Sequence, residues 1–155
     1  IKESAYALVP DGNARKYLHL YIGRQLRKLI DSKAAGSGTQ VEDRLFLLAV
    51  RQMNLGTEFL ENEEERAELA RLNSEAAEMA FEMSSFVSAG EYLQAGMSLL
   101  NPATTWDKHY ELTLKITTAL AHERLVCCGK MDVMRHLVGD VLQHAKSLKD
   151  KLGVY

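Results

Sequence analysis

An all-α fold is what these 155 residues predict, and three observations carry that expectation. Apolar residues recur over long stretches at three- and four-residue spacing, the period of an amphipathic helix. Only two prolines, Pro10 and Pro102, interrupt the chain. β-Branched residues rarely alternate, so strands have little to build on. Apolar side chains make up 46% of the chain, enough for a packed core and too many for a disordered one.

The elements follow in order. Residues Ile1 to Val9 read as the tail of a helix stopped by Pro10, Asp11 and Gly12, continuing an upstream element. A second helix is expected from about Ala14 to Ser32 behind Asn13 as N-cap, with Leu18, Ile22, Leu26, Leu29 and Ile30 on one face. Ala34 to Gly38 breaks it as a flexible linker. Thr39-Gln40-Val41-Glu42 reads as a capping box that opens a third helix. Its expected face is Val41, Leu45, Leu48, Gln52, Leu55 and Phe59, with Gln52 the one polar member. Asn62 is expected to cap a fourth helix whose first turn carries Glu63, Glu64 and Glu65, favourable at the positive end of the dipole. Its stripe is Leu69, Leu72, Ala76, Met79, Ala80 and Met83, narrow enough for a close neighbour.

A fifth helix is expected from Phe86 to Leu100, ending at Asn101-Pro102. A sixth spans about Trp106 to Cys128, with Tyr110, Leu114, Thr117, Thr118, Ala121, Leu125 and Cys128 on its stripe. Gly129 breaks it, and a seventh runs from about Met131 to Leu152. Met134, Leu137, Val138, Val141, Leu142 and Ala145 form its inward side. The expected architecture is about seven antiparallel helices, stacked as a relaxed tetratricopeptide-like array. Residues 1–33 read as N-terminal helices continuing an upstream domain, 34–39 as the linker, and 40–155 as the hairpin array.

Composition excludes several classes. Nineteen basic against twenty-one acidic side chains leave a net charge of -2, which disfavours a nucleic-acid surface. The longest apolar run, Leu45 to Val50, is far below the ~20 residues that cross a bilayer, so no membrane span is expected. Ile1-Lys2-Glu3 does not open a signal peptide, and the missing initiator Met points to a segment of a longer or processed chain. Cys127 and Cys128 are adjacent, where a mutual disulfide is strained, so small apolar filling in a reducing, cytoplasmic compartment is the expectation.

Two segments, about 65–100 and 107–148, read as degenerate repeats. In the first, Ala76, Tyr92 and Ala95 take the small, large and small positions of a tetratricopeptide hairpin. In the second, Gly129 takes the turn, and Met134, Val138 and Val141 take the packing positions. Ala95 to Val141 spans 46 residues against a period of about 34, so about 12 residues around Asn101 to Tyr110 separate the units.

The order of several short motifs is more telling. Ala5-Tyr6-Ala7-Leu8-Val9-Pro10 precedes Leu18-His19-Leu20-Tyr21-Ile22-Gly23-Arg24, then Glu42-Asp43-Arg44-Leu45-Phe46 and Asn54-Leu55-Gly56. Tyr92-Leu93-Gln94-Ala95-Gly96, Trp106 to Leu114 and Val141 to Leu148 follow. In this order the chain resembles the helical region after the nucleotide-binding core in AAA/STAND-type ATPase modules of multidomain hybrid serine/threonine and histidine kinases. The resemblance covers nearly the whole chain and implies a part of a large signalling protein. The family's chemistry is missing from this part: there is no GxxxxGK[ST] loop to cradle a triphosphate and no HRD-type catalytic loop.

The expected function is therefore a non-catalytic helical scaffold or relay segment, without cofactor or metal. Its expected partner is a protein, a peptide or a neighbouring domain, with no nucleic acid and no membrane. Tyr92, Trp106, His109 and Tyr110 bracket the insertion between the repeats and form a candidate partner groove, against the plainer reading that they seal the junction. The alternative classes are a histidine phosphotransfer module and a free-standing adaptor that self-associates as a homodimer. His122 and His144 are the candidate phosphoacceptors, although neither is followed by the residues that such boxes carry. His19, His109, His122, His136 and His144 include no i, i+4 histidine pair that would favour a metal.

Overall fold

A computed structural model describes residues 12–33, 40–126 and 129–154. All regular structure among them is helical, as the sequence predicts. The helices are α1 (Asn13–Lys33), α2 (Gln40–Asn54), α3 (Glu63–Glu82), α4 (Phe86–Leu99), α5 (Thr105–Lys108), α6 (Tyr110–Val126), α7 (Met131–His144) and α8 (Leu148–Leu152). A 3-10 turn, Thr57–Phe59, lies between α2 and α3. The expected helix before Pro10, the linker at 34–39, Thr39 of the expected capping box, and Cys127 and Cys128 lie outside the described residues.

The chain divides into two compact units, Ile1–Glu65 and Arg66–Tyr155. In the first, α1 packs along α2. The contact is intimate at Gly23, where an added Cβ would stand 2.8 Å from both the Ala49 carbonyl oxygen and the Met53 backbone nitrogen. Only the missing side chain lets the two backbones come so near. This close approach also corrects the expected faces. Leu20 and Gly23 are the buried residues of α1, while Leu29 is exposed. In α2 the buried set is Phe46, Ala49, Val50 and Met53, whereas Val41, Leu48 and Leu55 face outward. The stripe sits about one residue round from the expected one, because Gly23 seats against Ala49 and Met53 rather than against the leucines.

Polar pairs finish this unit. His19 Nδ1 lies 2.6 Å from Gln52 Oε1, so the one polar member of the expected α2 stripe has a partner across the helix pair. Lys16 reaches Glu58 at 2.5 Å, and Arg24 donates to Glu65 at 3.0 Å. Tyr17 meets Phe59 edge to face at 5.8 Å. Asn62 accepts the Glu65 backbone N–H at 2.8 Å, while the Glu65 carboxylate accepts the Glu61 N–H at 2.9 Å. The expected cap at the start of α3 is thus part of a reciprocal pair.

The second unit is built on small residues. Leu69, Ala70, Leu72, Ala76, Ala77 and Ala80 of α3 are buried, as are Ala89 and Leu93 of α4 and Ile116, Leu120 and Ala121 of α6. Met83, expected inward, is exposed. At the α3–α4 turn Ser84 adopts φ 56°, and the Ser85 N–H reaches back to the Ala80 carbonyl at 2.8 Å. That pairing is a Schellman ending with serine where glycine is usual. α4 and α6 are held by Arg124, which donates to Gln94 at 2.8 Å, and by Glu123, whose buried carboxylate lies where a Cβ on Gly90 would be, 2.7 Å away.

Two predicted helices are each divided. The expected sixth breaks at His109 into α5 and α6. There Thr113 Oγ1 donates to the His109 carbonyl at 2.9 Å and lies 2.5 Å from Thr105 Oγ1, so a threonine pair joins the two helices across the break. The expected seventh breaks after His144, because Ser147 and Asp150 form a capping box that starts α8. The inward side of α7 follows the expected pattern, with Val141 fully buried and Met134, Leu137, Val138 and Leu142 half-buried.

Candidate functional site

The turn after α4, the short α5, and the facing sides of α6 and α7 enclose a cleft of about 380 Å³. Its position follows from local chemistry. Asn101 ends the α4 segment as an Asx turn, its Oδ1 accepting the Ala103 N–H at 3.0 Å, and the Thr105 N–H returns to the Asn101 carbonyl at 2.9 Å. That turn delivers Trp106 to the cleft. Met97, Leu100 and Leu137 supply apolar wall, and Thr105, Thr113, Asp140 and His144 supply polar edges.

Trp106 is the centre of the arrangement. Its ring stacks on His144 with centroids 4.8 Å apart and planes 5° from parallel. The Tyr110 ring tilts against Trp106 at 6.0 Å and 58°. His144 donates from Nδ1 to the Asp140 carbonyl at 2.9 Å, which fixes the ring's orientation. His136 lies 3.7 Å from the Asp140 carboxylate, one turn back along α7. His136, Asp140 and His144 therefore share one edge of the helix at i, i+4, i+8 spacing.

Tyr110 also ties the C-terminal turn in place. Its hydroxyl donates to Asp150 at 2.6 Å and accepts the Lys146 N–H at 2.8 Å. The Lys146 ammonium lies 4.1 Å from the Tyr110 ring centroid. Hydrogen bonds from Tyr110 and Ser147 hold the Asp150 carboxyl below the usual carboxylate range. Desolvation, then the bond to Asp150, push the Tyr110 phenol up.

The structure thus brings together Trp106 and Tyr110 of the expected groove and adds His144, which the sequence pointed to for a different role. Of the expected groove only Trp106 lines the cleft: Tyr110 touches the Trp106 ring from outside the lining, and Tyr92, half-buried on α4, and His109, at the α5–α6 break, do not line it. His122 is exposed and borders a separate hollow of about 720 Å³ with Lys115, Lys149 and Asp150. Sequence reasoning missed Asp140, Lys146 and Asp150. The Ser147-x-x-Asp150 spacing was the available signal for the last, and the Asp140 spacing to its two histidines for the first. Among the described residues no group of three His, Cys, Asp or Glu side chains is placed to hold a metal ion, and no helix is long and apolar enough to cross a membrane.

The chemistry on offer is stacking, apolar contact and a few oriented hydrogen-bonding groups, the means of recognising a ligand or peptide. No protein-family model matches the chain, and no solved structure matches it. Hybrid signal transduction histidine kinase G of Dictyostelium discoideum is 25% identical over 162 residues, covering 94% of this chain and 5% of that protein. The chain is similar to a small part of a signalling kinase.

Proposed function

We propose that this chain is a non-catalytic helical interaction segment of a multidomain cytoplasmic signalling protein, and that the Trp106 cleft receives an apolar or aromatic side chain from a partner peptide or neighbouring domain. The observation that carries the reading is the cleft itself, where an indole held by a parallel imidazole stands beside an apolar wall. Stacked rings pre-set a flat contact surface, so a partner loses little freedom in ordering it. Support for the setting comes from the similarity along nearly the whole chain to part of a hybrid histidine kinase. On this reading the second unit is a relaxed tetratricopeptide-like stack from the helical part of an AAA/STAND-type module, relaying the position of one neighbouring domain to another.

Trp106 is the single tryptophan of the chain, so its fluorescence reports on the cleft directly. Titration with the separately produced flanking domains of the parent protein should shift that emission. Trp106→Ala should abolish the binding while leaving the circular dichroism spectrum intact. Binding that persists unchanged in Trp106→Ala would refute the cleft as the docking site. The exposure of His122 beside Lys115 and Lys149 favours one second reading, a phosphotransfer module. Acid-labile phosphohistidine after incubation with a phosphorylated receiver domain, lost in His122→Gln, would replace the scaffold reading with that one.

A further inference from the structure

The polar side of the Trp106 cleft is rich in acceptors. Three threonines line it, and each spends its hydroxyl proton within the fold. Thr117 donates to the Thr113 carbonyl at 2.7 Å and Thr113 to the His109 carbonyl at 2.9 Å, which leaves Thr105 to donate to Thr113 Oγ1 at 2.5 Å. Those side chains offer a guest only oxygen lone pairs. Asp140 supplies the only carboxylate of the lining, and among the described residues no Lys or Arg lines the cleft to meet it.

Asp140 belongs to the stack's own turn of helix. The His144 ring, parallel to Trp106 at 4.8 Å, bonds the Asp140 carbonyl through Nδ1 at 2.9 Å, so one turn of α7 carries both the stacked imidazole and the carboxylate. The cation that answers the carboxylate is His136, 3.7 Å away, its side chain 80% exposed. So open a pair contributes little, and the Asp140 side chain, itself 40% exposed, keeps lone pairs for a visitor. An apolar wall edged by acceptors and one negative charge complements a cation with N–H donors beside an apolar group. We propose that the segment entering the cleft carries a lysine or arginine next to its apolar or aromatic side chain, and that Asp140 selects it.

Selection by Asp140 rests on the cleft being the docking site, so the probes must separate the two. Three acetylated dipeptide amides do so: phenylalanyl-lysine, phenylalanyl-glutamine and phenylalanyl-glutamate, each titrated into the full chain while Trp106 emission is followed. Phenylalanine is silent where indole is excited. The lysine probe should bind roughly two- to five-fold tighter than the glutamine probe, the yield of a partly exposed ion pair, with the glutamate probe weakest. Asp140→Asn should bring the three affinities together and leave the circular dichroism spectrum unchanged. In about 1 M salt, where charges act over only about 3 Å, the lysine preference should shrink. Equal affinities in the native chain would overturn selection by Asp140 and leave the cleft as a docking site. A lysine preference that survives Asp140→Asn, or a tighter glutamate probe, would overturn it in the same way. Silence of Trp106 toward all three at millimolar concentration would overturn the cleft and the selection together.

Discussion

The two units are assembled by different means. In the first, α1 and α2 close at Gly23 over a small apolar set, Leu20, Phe46, Ala49, Val50 and Met53, and polar pairs tie the edges of α1: His19 with Gln52, Lys16 with Glu58, Arg24 with Glu65. In the second, a row of alanines on α3, Ala89 of α4, Ala121 of α6 and a few large side chains, Leu93 and Ile116 among them, form an apolar interior. A glycine contact is a single point of failure, because backbone cannot yield. An apolar interior spreads its stabilisation over many atoms, each replaceable at a cost in proportion to its size.

The largest expected effect tests the second unit. Ile116 is fully buried, and Ile116→Ala should cost about 2–5 kcal/mol, since the cavity cannot collapse among alanines. Region-resolved hydrogen exchange should show α3, α4 and α6 losing protection while α1 and α2 keep theirs. Uniform loss across both units would show that the division has no energetic meaning.

Gly23→Ala tests the first unit. The new methyl meets backbone at 2.8 Å, so α1 and α2 must separate, at about 1–3 kcal/mol. Gly90→Ala is the matched change in the second unit, and there the obstacle is the far end of the Glu123 side chain. It should cost less than Gly23→Ala in the same denaturant titration. The reverse order would contradict the contrast between rigid and yielding contacts.

Ser84→Gly sharpens the picture from the other side. It relieves a left-handed serine and should stabilise the second unit by up to about 1 kcal/mol, read from the thermal melt. The most local effect is one of pH. The Asp150 carboxyl is held low, so its contribution is present above about pH 4, the unfolded value, and is lost as pH falls through the folded one. Acidification should therefore release α8 before the core of the unit, seen as exchange at the Ser147 and Asp150 amides. Asp150→Asn should remove that dependence.

Much of the fold was legible from local rules. The Asn62 cap and the start of α4 at Phe86 appear where residue chemistry puts them, as does the inward pattern of α7. The α7–α8 break was legible as well, in Ser147-x-x-Asp150, although the expected helix ran unbroken to Leu152. Of the candidate site, Trp106 and Tyr110 were identified from sequence; of their partners, His144 was singled out only as a phosphoacceptor, and Lys146 and Asp150 were not. Those partners lie 36 to 40 residues away from Tyr110 or Trp106, beyond the reach of any local pattern.

The sequence by itself determined that the chain is helical and where most of its helices begin and end. Those properties depend on propensity, capping and spacing within a few residues. Which face of each helix is buried was decided only by tertiary structure. Val41, Leu48 and Leu55 share an apolar stripe, yet Ala49, Val50 and Met53 are covered, because Gly23 lets the backbone at Ala49 and Met53 approach α1. Periodicity orders side chains around an axis, but only a neighbouring backbone chooses which of them leave water.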